Sequence, residues 1–210
     1  MNTNMNTVRL LGAAQLIIIV GAVIMEQLLA SAVGSGSISD ILVNISENHT
    51  RMRISTLVAL VQSFVIVVWG VLYYIVFYKE YKIIALVALG LFLAAAIMLA
   101  VSKIGSNGLI PLSQKFVEAG APEPSYFQAL GDFLYYGVDR RGYDIYMLFT
   151  CLSLILWNYL FYISRYIPRG LSVWGLAAVC LFLITVLLVL YNRDFRDSPA
   201  MILTLAYAPY

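Results

Sequence analysis

Glu26 is the residue of this chain best placed to do chemistry, because its carboxylate stands inside a long apolar run where water cannot solvate it. A charge at bilayer depth is costly unless it is paired, protonated or wetted. Gln15 lies eleven positions earlier, close to three helical turns, so the two share a face. Arg53 opens the next apolar run at the level where the first one ends, and its long side chain can snorkel down to Glu26. The plainer expectation is an ion pair fastening two helices; the alternative is a ligand, ion or proton site. His49 is the single histidine. Asp40 and Glu47 lie nearby, but neither the ligand count nor the spacing matches a metal site, so a solvated loop histidine is expected. Asp139-Arg140-Arg141 with Asp144 reads as a solvated charged rim. No nucleophile–base pair, glycine-rich phosphate loop or metal cluster is present in the sequence, so no catalytic residue, cofactor or metal is expected.

The elements that must hold these residues follow from composition. The chain has 210 residues, 62% of them hydrophobic and 11% charged, against roughly 25% charged in soluble domains. Mean hydropathy is +0.88. A net charge of +2, without any basic run interleaved with aromatics, excludes a nucleic-acid binder. Cys151 and Cys180 both fall in apolar runs and are expected to be small packed hydrophobes. Arg9, an apolar run and Ala30-Ser31-Ala32 mimic a signal peptide, but Leu10–Val33 is long enough to span a bilayer.

Five stretches reach the roughly 20 apolar residues a span needs: 10–33, 55–78, 83–101, 143–164 and 171–190. A sixth begins near Pro199 and stops at Tyr210, and is read as a partial span. Lys79–Lys82 and Arg165–Gly170 are tight turns, whereas 34–54 and 102–142 are long enough to be structured outer loops. Ile38, Ile41, Leu42 and Ile45 follow the stripe of a short amphipathic helix. Pro111 and Gly120 predict a second helix between them, and Ser125 opens a third with Tyr126, Leu130, Phe133 and Gly137 on its apolar side. These short helices are expected to lie on the membrane as a cap.

Arg9, Lys79, Lys82, Arg165 and Arg169 crowd the short-loop side, while other Lys and Arg residues spread thinly over the long loops. By density, the short-loop side and the N-terminus are expected to be cytoplasmic. Arg165 and Arg169 set that topology or meet lipid phosphate. The tyrosines near both span borders read as aromatic belts. Gln62 and Asn158, within spans, are expected to join helices.

Leu112-Ser113-Gln114-Lys115-Phe116-Val117-Glu118-Ala119-Gly120-Ala121-Pro122 with Ser125-Tyr126-Phe127-Gln128-Ala129-Leu130-Gly131 resembles the outer-loop signature of domain-of-unknown-function family 4386. Tyr162-Ile163-Ser164-Arg165-Tyr166-Ile167-Pro168-Arg169-Gly170-Leu171-Ser172-Val173-Trp174-Gly175 is similar to that family's internal turn, and Arg9-Leu10-Leu11-Gly12 to its opening. The resemblance implies a prokaryotic six-helix membrane protein with no established activity. This chain departs from it at Phe92 and Ala95, where many members carry an Arg and a Glu, and in the missing tail motif.

The expected architecture is an all-α, polytopic helical transmembrane bundle capped on its outer side by short amphipathic helices. The leading functional expectation is a non-enzymatic scaffold, accessory subunit or binder of a lipid or small apolar ligand. The alternatives are a small-solute or proton-coupled transporter and an intramembrane enzyme using Glu26 and His49. Expected partners are the lipid bilayer of the cell membrane, a bound lipid, and a membrane-protein partner or a second copy.

Overall fold

The computed structural model describes residues 5–122, 125–193 and 195, with side chains from residue 9 onward. Among these residues there is no strand, and the helices are α1 (Met5–Val33), α2 (Ile38–Glu47), α3 (His49–Glu118), α4 (Tyr126–Asp132), a π-helix (Phe133–Arg140), α5 (Arg141–Ser164) and α6 (Arg169–Tyr191). The all-α class read from the sequence is what the structure has. Among the described residues, four helical stretches are long and apolar enough to cross a membrane: Arg9–Val33, His49–Glu118, Tyr126–Ser164 and Arg169–Tyr191. The partial span expected at 199–210 lies outside the described residues.

The second of these stretches has 70 residues. A straight helix of that length would run about 105 Å, more than three times the roughly 30 Å of bilayer hydrocarbon. Tyr81 resolves the conflict, with φ −129° and ψ 39°, outside helical values. It sits within the Lys79–Lys82 turn, and Lys79, Glu80 and Lys82 around it are exposed.

Two readings of the outer loops are corrected. Pro111 does not start a helix; it lies inside α3. Its ring faces out, and Ile110, Leu112 and Phe116 carry the buried face of α3 straight past it, so packing offsets the one missing backbone donor. Across α4 and the π-helix, Tyr126, Leu130 and Phe133 are exposed, whereas Phe127, Gly131 and Tyr135 are buried. The apolar stripe chosen from the sequence is the outer one. In a membrane protein an apolar stripe can face lipid, so the stripe alone does not say which side is core. Nor are these separate short helices, since α4, the π-helix and α5 follow without a break.

The chain forms two compact units. One comprises Met1–Ala14, Ile66–Ala96 and Asp144–Tyr210. Its centre is aromatic: Trp69 stacks on Phe92 at 5.0 Å, Tyr73 on Trp157 at 4.9 Å, and Phe77 meets Phe161 and Tyr166 edge-on. Tyr73, one of the tyrosines near a span border that read as belt residues, stacks within this aromatic group. Gly70 permits the close approach, because a Cβ there would come within 3.0 Å of Leu89 and 3.2 Å of Phe92. The Ser153 hydroxyl donates to the Ala88 carbonyl at 2.7 Å and ties α5 to α3. Asn158 bonds Leu154 of its own helix and so is no cross-helix glue.

The other unit comprises Gln15–Val65 and Ile97–Tyr143. Leu29, Ala32 and Val33 of α1, Ile41, Leu42 and Ile45 of α2, Leu109 and Phe116 of α3, and Phe127 form one buried cluster. The α2 stripe is the expected one. Ser37 caps α2: its hydroxyl accepts from the Asp40 N–H, and Asp40 accepts from the Ser37 N–H and hydroxyl, both at 2.8 Å. The Asn44 amide donates to the Val33 carbonyl at 3.1 Å, across the turn where Gly34 takes φ 67°. A side chain at Gly34 would collide with Asn44 at 2.5 Å. Gln128 accepts from the Ser125 N–H and donates to Ser39 at 2.7 Å, fixing α4 to α2.

Candidate functional site

Two ion pairs and one apolar groove of this second unit carry the polar and ligand-accessible chemistry. Glu26 is partly buried, as expected, yet its partner is Arg140, whose Nη1 lies 3.4 Å from Oε2. Arg53 is exposed and makes no ion pair or hydrogen bond with another described residue. The pairing expected from depth alone is thus replaced by one from the π-helix. Arg140 also donates from Nε and Nη2 to the Tyr135 hydroxyl at 3.3 and 3.2 Å. Its guanidinium stands 5.4 Å from the Tyr135 ring centroid. The other Glu26 oxygen, Oε1, is enclosed without a hydrogen-bond partner among the described residues.

The second pair was missed by sequence reasoning. Lys103 Nζ donates to Asp139 Oδ1 at 2.8 Å, and both side chains are almost wholly enclosed, at 3% and 1% exposure. The Ser106 hydroxyl donates to the same oxygen, while Asp139 Oδ2 is buried with no partner. Glu26 is therefore not the one charge held deep in the protein, and the Asp139 rim is not solvated. The placement has a local cause. Asp139 lies four residues beyond Tyr135, which is four beyond Gly131, which is four beyond Phe127, and all four are buried. Glycines let the backbone close in: a Cβ at Gly105 would lie 2.5 Å from the Leu134 carbonyl, and one at Gly142 would lie 2.6 Å from Ser102. Wide π-turns are rare and recur at functional sites. The signal that could have found Asp139 is this four-residue spacing, together with Gly105 and Gly142.

The remaining expected residues stand apart. His49 is half-buried at the start of α3, with Nδ1 at 3.1 Å from the Ser46 carbonyl. Among the described residues no hydrogen bond or ion pair joins it to Glu26, and no group of three metal-ligating side chains occurs. Gln15 is half-buried and makes no hydrogen bond with another described residue. Arg165 and Arg169 are exposed; Arg165 takes φ 59° at the turn, and Arg169 lies 5.5 Å from the Tyr162 ring centroid. Cys151 is buried, Cys180 exposed, and both are free thiols.

The groove lies between α1 and α3 and has a volume of about 230 Å³. Ile17 and Gly21 form one wall; Ile54, Leu57, Val58, Val61 and Gln62 form the other. Gly21 leaves the room, since a Cβ there would come no nearer than 3.8 Å to Gln62. Gln62 is buried, and its Nε2 donates to the Ile18 carbonyl at 3.4 Å, joining the two helices as expected.

Four helical stretches of spanning length and apolar composition among the described residues mark an α-helical membrane protein. The chain matches the model of the family described as Domain of unknown function (DUF4386) over residues 10–209, and it belongs to that family. No curated protein and no solved structure matches it.

Proposed function

We propose that this protein acts without enzymatic chemistry, as a binder of a lipid or other small apolar ligand, in the cell membrane with its N-terminus on the cytoplasmic side. The supporting observation is the α1–α3 groove, whose accessible lining is apolar throughout. Its volume of about 230 Å³ falls below the roughly 300–1,000 Å³ of sites for drug-sized ligands, so it suits part of a flexible chain better than a bulky solute. The charged residues nearby favour no chemistry of their own, because Glu26 and Asp139 are each occupied by a cation.

The test is native mass spectrometry of the full chain released from mild detergent, comparing wild type with Gly21→Leu. The backbone at Gly21 accepts a Cβ, whose nearest neighbour is Gln62 at 3.8 Å, and the rest of the leucine side chain is introduced to take up groove volume. Retained lipid is expected on the wild type and to fall about tenfold in the variant, with thermal stability kept. Equal lipid retention by both proteins would refute the reading.

A further inference from the structure

Among the residues that line the groove, Gln62 alone has a polar side chain. That side chain is 4% exposed, and the Ile18 carbonyl sets the orientation of its amide. A carbonyl needs a donor, so Nε2 faces Ile18, which it meets at 3.4 Å, and Oε1 faces elsewhere. Oε1 is enclosed and has no hydrogen-bond partner among the described residues. An amide oxygen left without a donor in apolar surroundings is costly, and a donor brought by a ligand removes that cost.

Gly21 marks where that donor would stand. It lies four residues beyond Ile17, on the same face of α1, and both belong to the groove wall. Beyond its own helix turn, a Cβ built on Gly21 would have one neighbour within 4 Å, and that neighbour is Gln62 Oε1 at 3.8 Å. The room left by the missing side chain therefore adjoins the unpartnered oxygen. A ligand atom in that place is about 1 Å beyond hydrogen-bond distance from Oε1, so a small shift closes the bond. Resting on the reading of the groove as a ligand site, we infer that its occupant is a neutral alcohol with a single apolar chain, whose hydroxyl donates to Gln62 Oε1 beside Gly21.

The rest of the lining decides the class of ligand. Ile17, Ile54, Leu57, Val58 and Val61 offer no cation to a carboxylate or phosphate and no anion to an amine. A water molecule needs about two to four polar partners, and beyond Gln62 the lining has no polar side chain to supply them. A hydroxyl is served by the one acceptor and brings the chain that the apolar lining takes. That chain has a track, because Ile54, Val58 and Gln62 follow one another at four-residue steps on a single face of α3. From Ile54 to Gln62 the helix rises about 12 Å, the length of groove over which the chain would lie. In lipid neither the hydroxyl nor Oε1 has water as an alternative partner, so the bond between them discriminates an alcohol from an alkyl chain that lacks a donor.

The experiment photolabels the full chain in one detergent with a decanol that carries a diazirine in its chain, and locates the label by peptide mass spectrometry. Decanol and decyl methyl ether then compete; the ether keeps the chain and the oxygen but has no proton to donate. Both are dosed by measured mole fraction in the micelle, which removes their different partitioning. In wild type, label is expected on the groove segments of α1 and α3, and decanol should halve it at about a fivefold lower mole fraction than the ether, the worth of one neutral hydrogen bond. Gln62→Leu should make the two competitors equal, and Gly21→Leu should abolish the labelling. Equal competition in wild type, with labelling still lost in Gly21→Leu, overturns the inference while the groove reading stands. Labelling unaffected by Gly21→Leu overturns the groove reading and this inference with it. A Gln62→Leu protein that still prefers decanol overturns the assignment to Gln62. The wild-type comparison needs no variant, so it decides the matter even where Gln62→Leu fails to fold.

Discussion

Asp139→Asn removes one charge from the enclosed Lys103–Asp139 pair while keeping the side chain's shape. At 2.8 Å the Coulomb attraction is about 6 kcal/mol for an effective dielectric near 20, before any desolvation is counted. The variant leaves the Lys103 ammonium enclosed at 3% exposure with no counter-charge on Asp139, and breaking a buried pair in this way costs about 3–5 kcal/mol. For a chain of this length that corresponds to a fall of roughly 10 °C in apparent Tm. Lys103→Met combined with Asp139→Leu takes out both charges, and such replacements are close to neutral or stabilising by about 1–4 kcal/mol. Glu26→Gln is the contrast: that side chain is 37% exposed and its contact is 3.4 Å, so the loss should be about 1 kcal/mol or less. The assay is thermal unfolding of purified protein in one detergent, followed by intrinsic fluorescence, for all four proteins. An Asp139→Asn protein melting within 2 °C of wild type would refute the reasoning. So would a double variant that melts no higher than Asp139→Asn alone.

Two further outcomes follow from the long segments between the spans. Asp40 is held below the ordinary carboxylate value of 3.8 by the Ser37 hydroxyl and then its N–H, so its cap is fully present above that pH and is lost as pH falls through the lower folded value. Amide protection factors at the start of α2, with the intrinsic pH dependence of exchange divided out, should therefore fall on acidification below about pH 4, and Asp40→Ala should abolish that dependence, leaving protection low throughout. For orientation, cysteines placed at Glu118 and Ala119, both exposed, should react with an impermeant thiol reagent in intact cells, and one at Lys82 should not, all in a Cys151→Ala, Cys180→Ala background. The opposite pattern would invert the topology.

Amino-acid composition and run length determined the solvent of this protein. Too few charges and too many apolar residues leave only helices as a way to satisfy the backbone in lipid, and the all-α class follows from that. Local chemistry was legible in part: Ile38 to Ile45 set the stripe of α2, and Lys79–Lys82 marks the turn that Tyr81 makes, whereas the Ser37–Asp40 cap of α2 went unread. Partner choice was not legible. Arg53 has the right depth for Glu26, but depth is one coordinate, and which side chain arrives also depends on rotation about each helix axis. Arg140 reaches Glu26 because Phe127, Gly131 and Tyr135 turn the π-helix inward, and that turn packs against residues far back along the chain, Gly105 against Leu134 and Ser102 against Gly142. The same rotation takes Asp139 out of the rim expected from its charged neighbours and encloses it against Lys103. In water, hydrophobic periodicity would have fixed that rotation in advance. In a bilayer the core and the solvent are both apolar, so the stripe of Tyr126, Leu130 and Phe133 is free to face outward, and only tertiary packing decides which residues meet.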